Sequence, residues 1–148
     1  MQVREVMTRG AVCVRPNDTI TAAAQKMKDL DIGALPVCGD DDRLKGILTD
    51  RDIAVRGISQ GLGPEASVRD VMSAEVKYCF EDDEIDDLAQ NMAAEQIRRL
   101  PVLNSKKRLV GIVTLGDLAT CRNGRATGVA MSGICQAGGH HCQSSAWL

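Results

Sequence analysis

This 148-residue chain is nearly without aromatic side chains: Tyr78, Phe80 and Trp147 are the whole complement. That excludes the stacking platforms on which single-stranded nucleic acids are read. Charge of one sign is equally scarce, because 18 basic residues face 20 acidic ones for a net charge of −2. Nothing here has the electrostatic footprint of a polyanion or membrane-surface binder, although a few local arginines would suffice for a ligand with one to three phosphates. No apolar run is long enough to cross a bilayer, and the first residues lack the apolar stretch of a secretory signal, so a cytoplasmic location is expected. Six cysteines in such a chain are read first as reduced thiols, small and hydrophobic, and none stands in a C-x-x-C pair. Histidine is absent until His140 and His141. With neither a nucleophile–base pair nor a metal centre in the body of the chain, an enzyme is not expected.

What the chain does have, it has twice. Residues 3–58 align without a gap on residues 68–123, and 20 of the 56 pairs are identical, where chance would give roughly three or four. The matches cluster: Val-Arg-Glu-Val-Met (3–7) against Val-Arg-Asp-Val-Met (68–72), Leu35-Pro36-Val37 against Leu100-Pro101-Val102, and Gly46-Ile47-Leu48-Thr49-x-x-Asp52 against Gly111-Ile112-Val113-Thr114-x-x-Asp117. Residues 1–60 and 68–122 are thus two repeats, with a glycine-containing linker at 61–67 and a tail at 123–148. Two equal units of this size are expected to share a core and a pseudo-two-fold axis.

Within each repeat the periodicity predicts β-α-β-β-α. A helical turn at Val3–Met7 or Val68–Met72 precedes a β-prone stretch at Ala11–Val14 or Val76–Phe80. The following helix shows apolar positions Ile20, Ala23, Ala24, Met27 and Leu30 in one copy and Ile85, Leu88, Ala89 and Met92 in the other. Asp18 or Thr19 is placed to cap the first helix and Gly33 to end it. The acidic run Glu81–Glu84 suits a solvated helix start. Hairpins follow at Ala34–Thr49 and Leu100–Thr114, each running into a helix near Asp50 or Leu115. The fold class expected is α/β, a small mixed sheet with helices on one side in each repeat. A further helix is expected over Ala126–Gln136.

The Thr-x-x-Asp ending carries the chemistry. A hydroxyl at a strand end and a carboxylate one helical turn on can grip a vicinal diol such as ribose, beside N–H groups suited to an anion. The same spacing is a capping box, with Thr and Asp satisfying each other's backbone. Spacing alone does not choose between the two.

The duplicated unit, with V-R-(D/E)-V-M first, L-P-V in the middle and G-I-(L/V)-T-x-x-D last, resembles a tandem of cystathionine-β-synthase-type (CBS) domains, a Bateman module. It is similar to short stand-alone members of actinobacterial, hypoxic-response type. The resemblance covers residues 3 to about 120 and implies a regulatory module, commonly homodimeric, that binds an adenosine derivative (AMP, ADP, ATP, S-adenosylmethionine or NAD) and acts on a partner protein the sequence does not name. It implies ribose contacts from Asp52 and Asp117, with Thr49 and Thr114 on ribose or phosphate. Adenine would lie against Ile32 and Ala34 in one site and Ile97 in the other, its edge read by backbone near Thr8 and Ser73. Phosphate would meet Arg51 in the first copy and Arg98 or Arg99 in the second. For these two arginines a solvated edge or an ion pair with residues 81–87 is the competing expectation. The same resemblance places Cys13 and Cys38 on neighbouring strands, within disulfide reach. The rival function is therefore a redox- or metal-responsive stress protein, using Cys13 and Cys38 or a tail cluster of Cys135, His140, His141 and Cys142. The tail spacing fits no standard structural site, and no required cofactor is expected.

Overall fold

In the computed structural model, which describes residues 1–121 and 124–136, the elements run in the order the duplication dictates. A helical turn, Val3–Glu5, leads to β1 (Thr8–Arg9), α1 (Ile20–Leu30), β2 (Ala34–Cys38), β3 (Leu44–Thr49) and α2 (Asp50–Asp52), the last extended by a wider helical turn at Ile53–Gly57. The second copy supplies α3 (Val68–Val71), β4 (Cys79–Phe80), α4 (Ile85–Glu95), β5 (Arg99–Leu103), β6 (Leu109–Thr114) and α5 (Leu115–Thr120), and α6 (Gly124–Ile134) follows.

The chain divides into two compact units, and neither is a contiguous repeat. One comprises residues 10–77 with 106–109; the other comprises 1–9, 78–105 and the described residues from 110 onward. The repeats have exchanged their first segments. Val3 and Met7 are buried with Ile85, Leu88, Met92, Val113 and Leu118 of the second copy. Val68 and Val71 are buried with Val14, Ile20, Met27, Leu35 and Leu48 of the first.

The strand pairing repeats the exchange. In the C-terminal unit the sheet order is β1-β6-β5-β4, with Thr8 antiparallel to Ile112 and β4 parallel to β5. In the N-terminal unit Ser73 bridges Ile47 of β3, β3 pairs antiparallel with β2, and Val14 bridges Val37 in parallel. Each is a mixed sheet with the same order. Two glycines make it possible: a methyl placed on Gly46 would lie 2.5 Å from the Ser73 carbonyl oxygen, and one on Gly111 equally close to that of Thr8. Only glycine lets the incoming segment approach so near.

Local chemistry explains the boundaries. Thr19 caps α1 by accepting from the Ala22 N–H at 3.1 Å, while Asp18 instead accepts from the Arg15 N–H. The expectation that Gly33 ends α1 is corrected: Asp31 does so in the left-handed conformation (φ 53°), and Gln96 repeats it at the end of α4 (φ 54°). The strand expected at 11–14 contracts to the single bridge at Val14, and the pairing at Thr8–Arg9 was not foreseen. The acidic run is not simply solvated: Asp82 is ion-paired with Arg4, Glu84 with the N-terminal amine at 3.0 Å, and Asp83 accepts from the Phe80 N–H. Finally α6 packs on α4, with Ala126 and Ala130 buried and the Gln96 amide donating to the carbonyls of Gly133 and Gln136.

Candidate functional site

Both Thr-x-x-Asp motifs form complete capping boxes. Thr49 Oγ1 accepts from the Asp52 N–H at 3.0 Å and Asp52 Oδ2 accepts from the Thr49 N–H at 2.9 Å. Thr114 and Asp117 repeat this at 3.2 and 2.7 Å, with the Thr114 hydroxyl also donating to Asp117 Oδ2 at 2.9 Å. The cap does not exhaust the carboxylates. Asp117 Oδ1 has no donor among the described residues, and Asp52 Oδ1 faces only Arg56, at 3.9 Å. Capping fixes the position of the group whose second oxygen stays open, so the two readings of the motif are compatible.

Backbone bonds gather the other candidates around each motif. In the C-terminal unit the Leu115 N–H donates to the Arg98 carbonyl at 2.8 Å, which holds Ile97–Arg99 against the start of α5, and β1 puts Thr8 beside Ile112, two residues before Thr114. In the N-terminal unit the Asp50 N–H donates to the Gly33 carbonyl at 3.0 Å, and Ser73 and Ile47 exchange two hydrogen bonds at 3.0 Å. Thr8, Ile97, Arg98, Arg99, Thr114 and Asp117 therefore form one set, and Ile32, Ala34, Thr49, Arg51, Asp52 and Ser73 the other, each within a single unit. Ile32 is 39% exposed and so available to a flat apolar ligand, whereas Ala34 is buried at 3%. Ala34 can offer such a ligand only backbone.

The sets differ in charge. Arg98 is exposed and Arg99 half-buried, and neither pairs with the acidic segment 81–87. In the other unit Arg51 is exposed between two carboxylates, and one of these, Asp50, was not singled out by the sequence reading. Its Oδ2 lies 3.1 Å from where a Gly33 side chain would begin, in the place Arg98 occupies in the repeat. The signal was the Thr-Asp-Arg-Asp string itself. The expected anion cradle is also one-sided. At the start of α2 the N–H groups of Asp50, Arg51 and Asp52 are taken by Gly33 O, Asp50 Oδ1 and Thr49 Oγ1. At the start of α5 the Leu115 and Asp117 N–H groups are likewise taken, and no acceptor among the described residues meets that of Gly116.

Cys13 and Cys38 are free thiols, brought to neighbouring strands by the parallel Val14–Val37 bridge. Burial, followed by the neighbouring Cys13, pushes the Cys38 thiol up to about 12. Burial does the same for Cys79, with Asp83 adding to it. Of the tail cluster, Cys135 is exposed just beyond α6; His140, His141 and Cys142 lie outside the described residues. No metal-ligating group of three occurs among the described residues, and none of their helices is long and apolar enough to cross a membrane.

Two exchanged mixed sheets, each closing on a capped Thr-x-x-Asp helix start, define the class: the chain belongs to the CBS domain family, whose model matches residues 3–57 and 68–124. Among its relatives, Hypoxic response protein 1 of Mycobacterium tuberculosis is 47% identical over 117 residues, 78% of this chain and 81% of that one. The CBS domain-containing protein YhcV of Bacillus subtilis is 43% identical over 133 residues, 89% of this chain and 94% of that one. Among solved structures, Hypoxic Response Protein I with two coordinated zinc ions superposes with a TM-score of 0.74 at 45% identity, covering 80% of this chain and 97% of that one. The CBS domain pair of MJ0100, in complex with 5-methylthioadenosine and S-adenosyl-L-methionine, gives 0.72 at 28% identity, with 80% and 93% covered.

Proposed function

We propose that this chain is a regulatory sensor that binds an adenosine-containing ligand at its Thr-x-x-Asp helix starts and signals by a change of conformation or association. The observation that carries the reading is the open Asp117 Oδ1 on a carboxylate already fixed by its cap. A ribose hydroxyl donates to that oxygen, and Ile97 offers adenine an apolar edge. The adenosine ligands of the MJ0100 pair support the class of ligand.

Charge divides the two sets. A phosphate-bearing ligand such as AMP favours the C-terminal set, where Arg98, Arg99 and the Gly116 N–H carry positive potential. The N-terminal set, with Asp50 and Asp52 flanking Arg51, favours an adenosine without phosphate, of which S-adenosylmethionine is the cationic example. Signalling follows if ligand prefers one of two arrangements of the protein. Self-association is part of the reading: Leu30, Val55 and Ile58 of the N-terminal unit are 47, 43 and 62% exposed, apolar side chains that a second copy would cover.

The test is a thermal-shift titration with AMP, ADP, ATP, S-adenosylmethionine and NAD on wild type, Asp117→Asn and Asp52→Asn. A ligand at a hundredfold over its Kd stabilises by about 2.7 kcal/mol, a shift of several degrees. AMP should shift wild type and Asp52→Asn but not Asp117→Asn. No shift with any ligand would reduce both motifs to helix caps.

A second reading is favoured by the placement of Cys13 and Cys38 on strands joined at Val14 and Val37: a two-electron oxidant would join them as a disulfide. Oxidant-dependent loss of two thiols, abolished in Cys13→Ser, is the expected signature.

A further inference from the structure

The N-terminal unit holds a cavity of about 370 Å³ toward the opposite end of β3 from Thr49 and Asp52. Lys45, in its lining, is four residues before Thr49, so the two places are about 13 Å apart along the strand. Three cations line the cavity, Arg15, Lys45 and Arg69, with one carboxylate, Asp40, and the amide of Asn17. Arg15 is committed: it donates to the carbonyls of Cys38 and Gly39 and pairs with Asp42 at 3.3 Å. Lys45 feels the charge of Asp41, which also pairs with Arg43 at 3.6 Å. Arg69 is exposed and makes no ion pair and no side-chain hydrogen bond among the described residues.

The internal duplication supplies the comparison. The counterpart of Arg69 is Arg4, and the backbone around both is the same: the Arg4 N–H donates to Glu81 O at 3.0 Å and the Arg69 N–H to Pro16 O at 2.9 Å. Arg4 has a built-in partner, the carboxylate of Asp82. In the N-terminal unit the position of Asp82 is Asn17, that of Glu81 is Pro16, and Val110 is replaced by Lys45. One copy therefore neutralises its arginine from within. The other has lost two acidic side chains, gained a lysine and left a cavity where the carboxylate would be.

We propose that this cavity is an anion site for a small phosphate-bearing ligand, whose phosphate takes the place at Arg69 that the Asp82 carboxylate takes at Arg4. Two oxygens of a phosphate match the forked donors of Arg69, with Lys45 as a point charge and the Asn17 amide as a neutral donor. The proposal is independent of the adenosine reading, since it uses none of those residues. Inorganic phosphate and an ester of it present the same dianion, and the size of the cavity leaves room for either.

The experiment is isothermal titration of the full chain with inorganic phosphate and, in a second arm, glycerol 3-phosphate, with chloride-matched ionic strength. Saturable one-to-one binding is expected; a tighter ester arm would identify a phosphorylated metabolite and a tighter inorganic arm free phosphate. Arg69→Gln should weaken binding at least tenfold. Asn17→Asp, which restores the carboxylate of the other copy, should do the same, and Lys28→Gln, at an exposed cation outside the cavity, should leave binding unchanged. Both substituted positions of the cavity are exposed, so the fold is not at stake. Absence of saturable binding, or wild-type affinity in either cavity variant, overturns the proposal.

Discussion

At the scale of single residues, burial governs what the cysteines do. Cys38 and Cys79 keep their protons to about 12, against an ordinary value of 9.0. The folded state therefore binds more protons than the unfolded chain once pH exceeds that ordinary value. The stability these thiols contribute is complete below pH 9 and is lost as pH rises from there toward 12. Urea midpoints measured across that range should fall with pH, and the fall should be shallower in Cys79→Ala. The Thr-x-x-Asp pairs were legible as capping boxes because such a box is local, its partners three residues apart. Asp50 was not, because its importance comes from Gly33, seventeen positions away and brought near only by the Asp50–Gly33 backbone bond. Gly33 misled as a helix end for a similar reason. The turn needed one left-handed residue, and Asp31 tolerates that conformation well enough to supply it.

At the scale of elements, helices and hairpin strands were read to within a few residues, and the first strand of each copy less well. The face of α1 repeats every three to four positions, and that signal survives any tertiary context. The pairing of Thr8 with Ile112 spans more than a hundred residues and leaves no periodic trace. The helix expected over Ala126–Gln136 forms at Gly124–Ile134. Sequence did not disclose what it covers, since its buried residues are only alanines. Its closeness to α4 depends on Gly133: a methyl there would sit 2.3 Å from the Ala93 Cβ and 2.5 Å from its Cα. Gly133→Ala should lift α6 from α4, lowering stability by about 1–3 kcal/mol as an overpacked contact does. Denaturant titration followed by circular dichroism checks this, and proteolysis should accelerate within 124–136.

At the scale of the whole molecule, the repeat was evident and the exchange of first segments was not. Val3–Met7 and Val68–Met72 are nearly the same string, so either could pack in either unit. Only the tertiary arrangement decides. Met7, 8% exposed, packs in the core of the C-terminal unit although the chain from residue 10 to 77 builds the other. Met7→Ala should cost about 2–5 kcal/mol. Hydrogen exchange should find the loss of protection centred on 85–118 rather than on the nearby 10–57.

The exchange also sets an order of events during synthesis. A ribosome delivers residues 1–9 first, yet the partners of Val3 and Met7 begin near residue 79 and end with α6. The leading segment must wait, solvated, while the N-terminal unit gathers its hydrophobic contacts down to Val71. Cutting the gene at the boundary between the repeats would give two halves each carrying the other's opening segment. Shuffling of this protein into larger architectures is thus expected to move the pair together, as one indivisible piece.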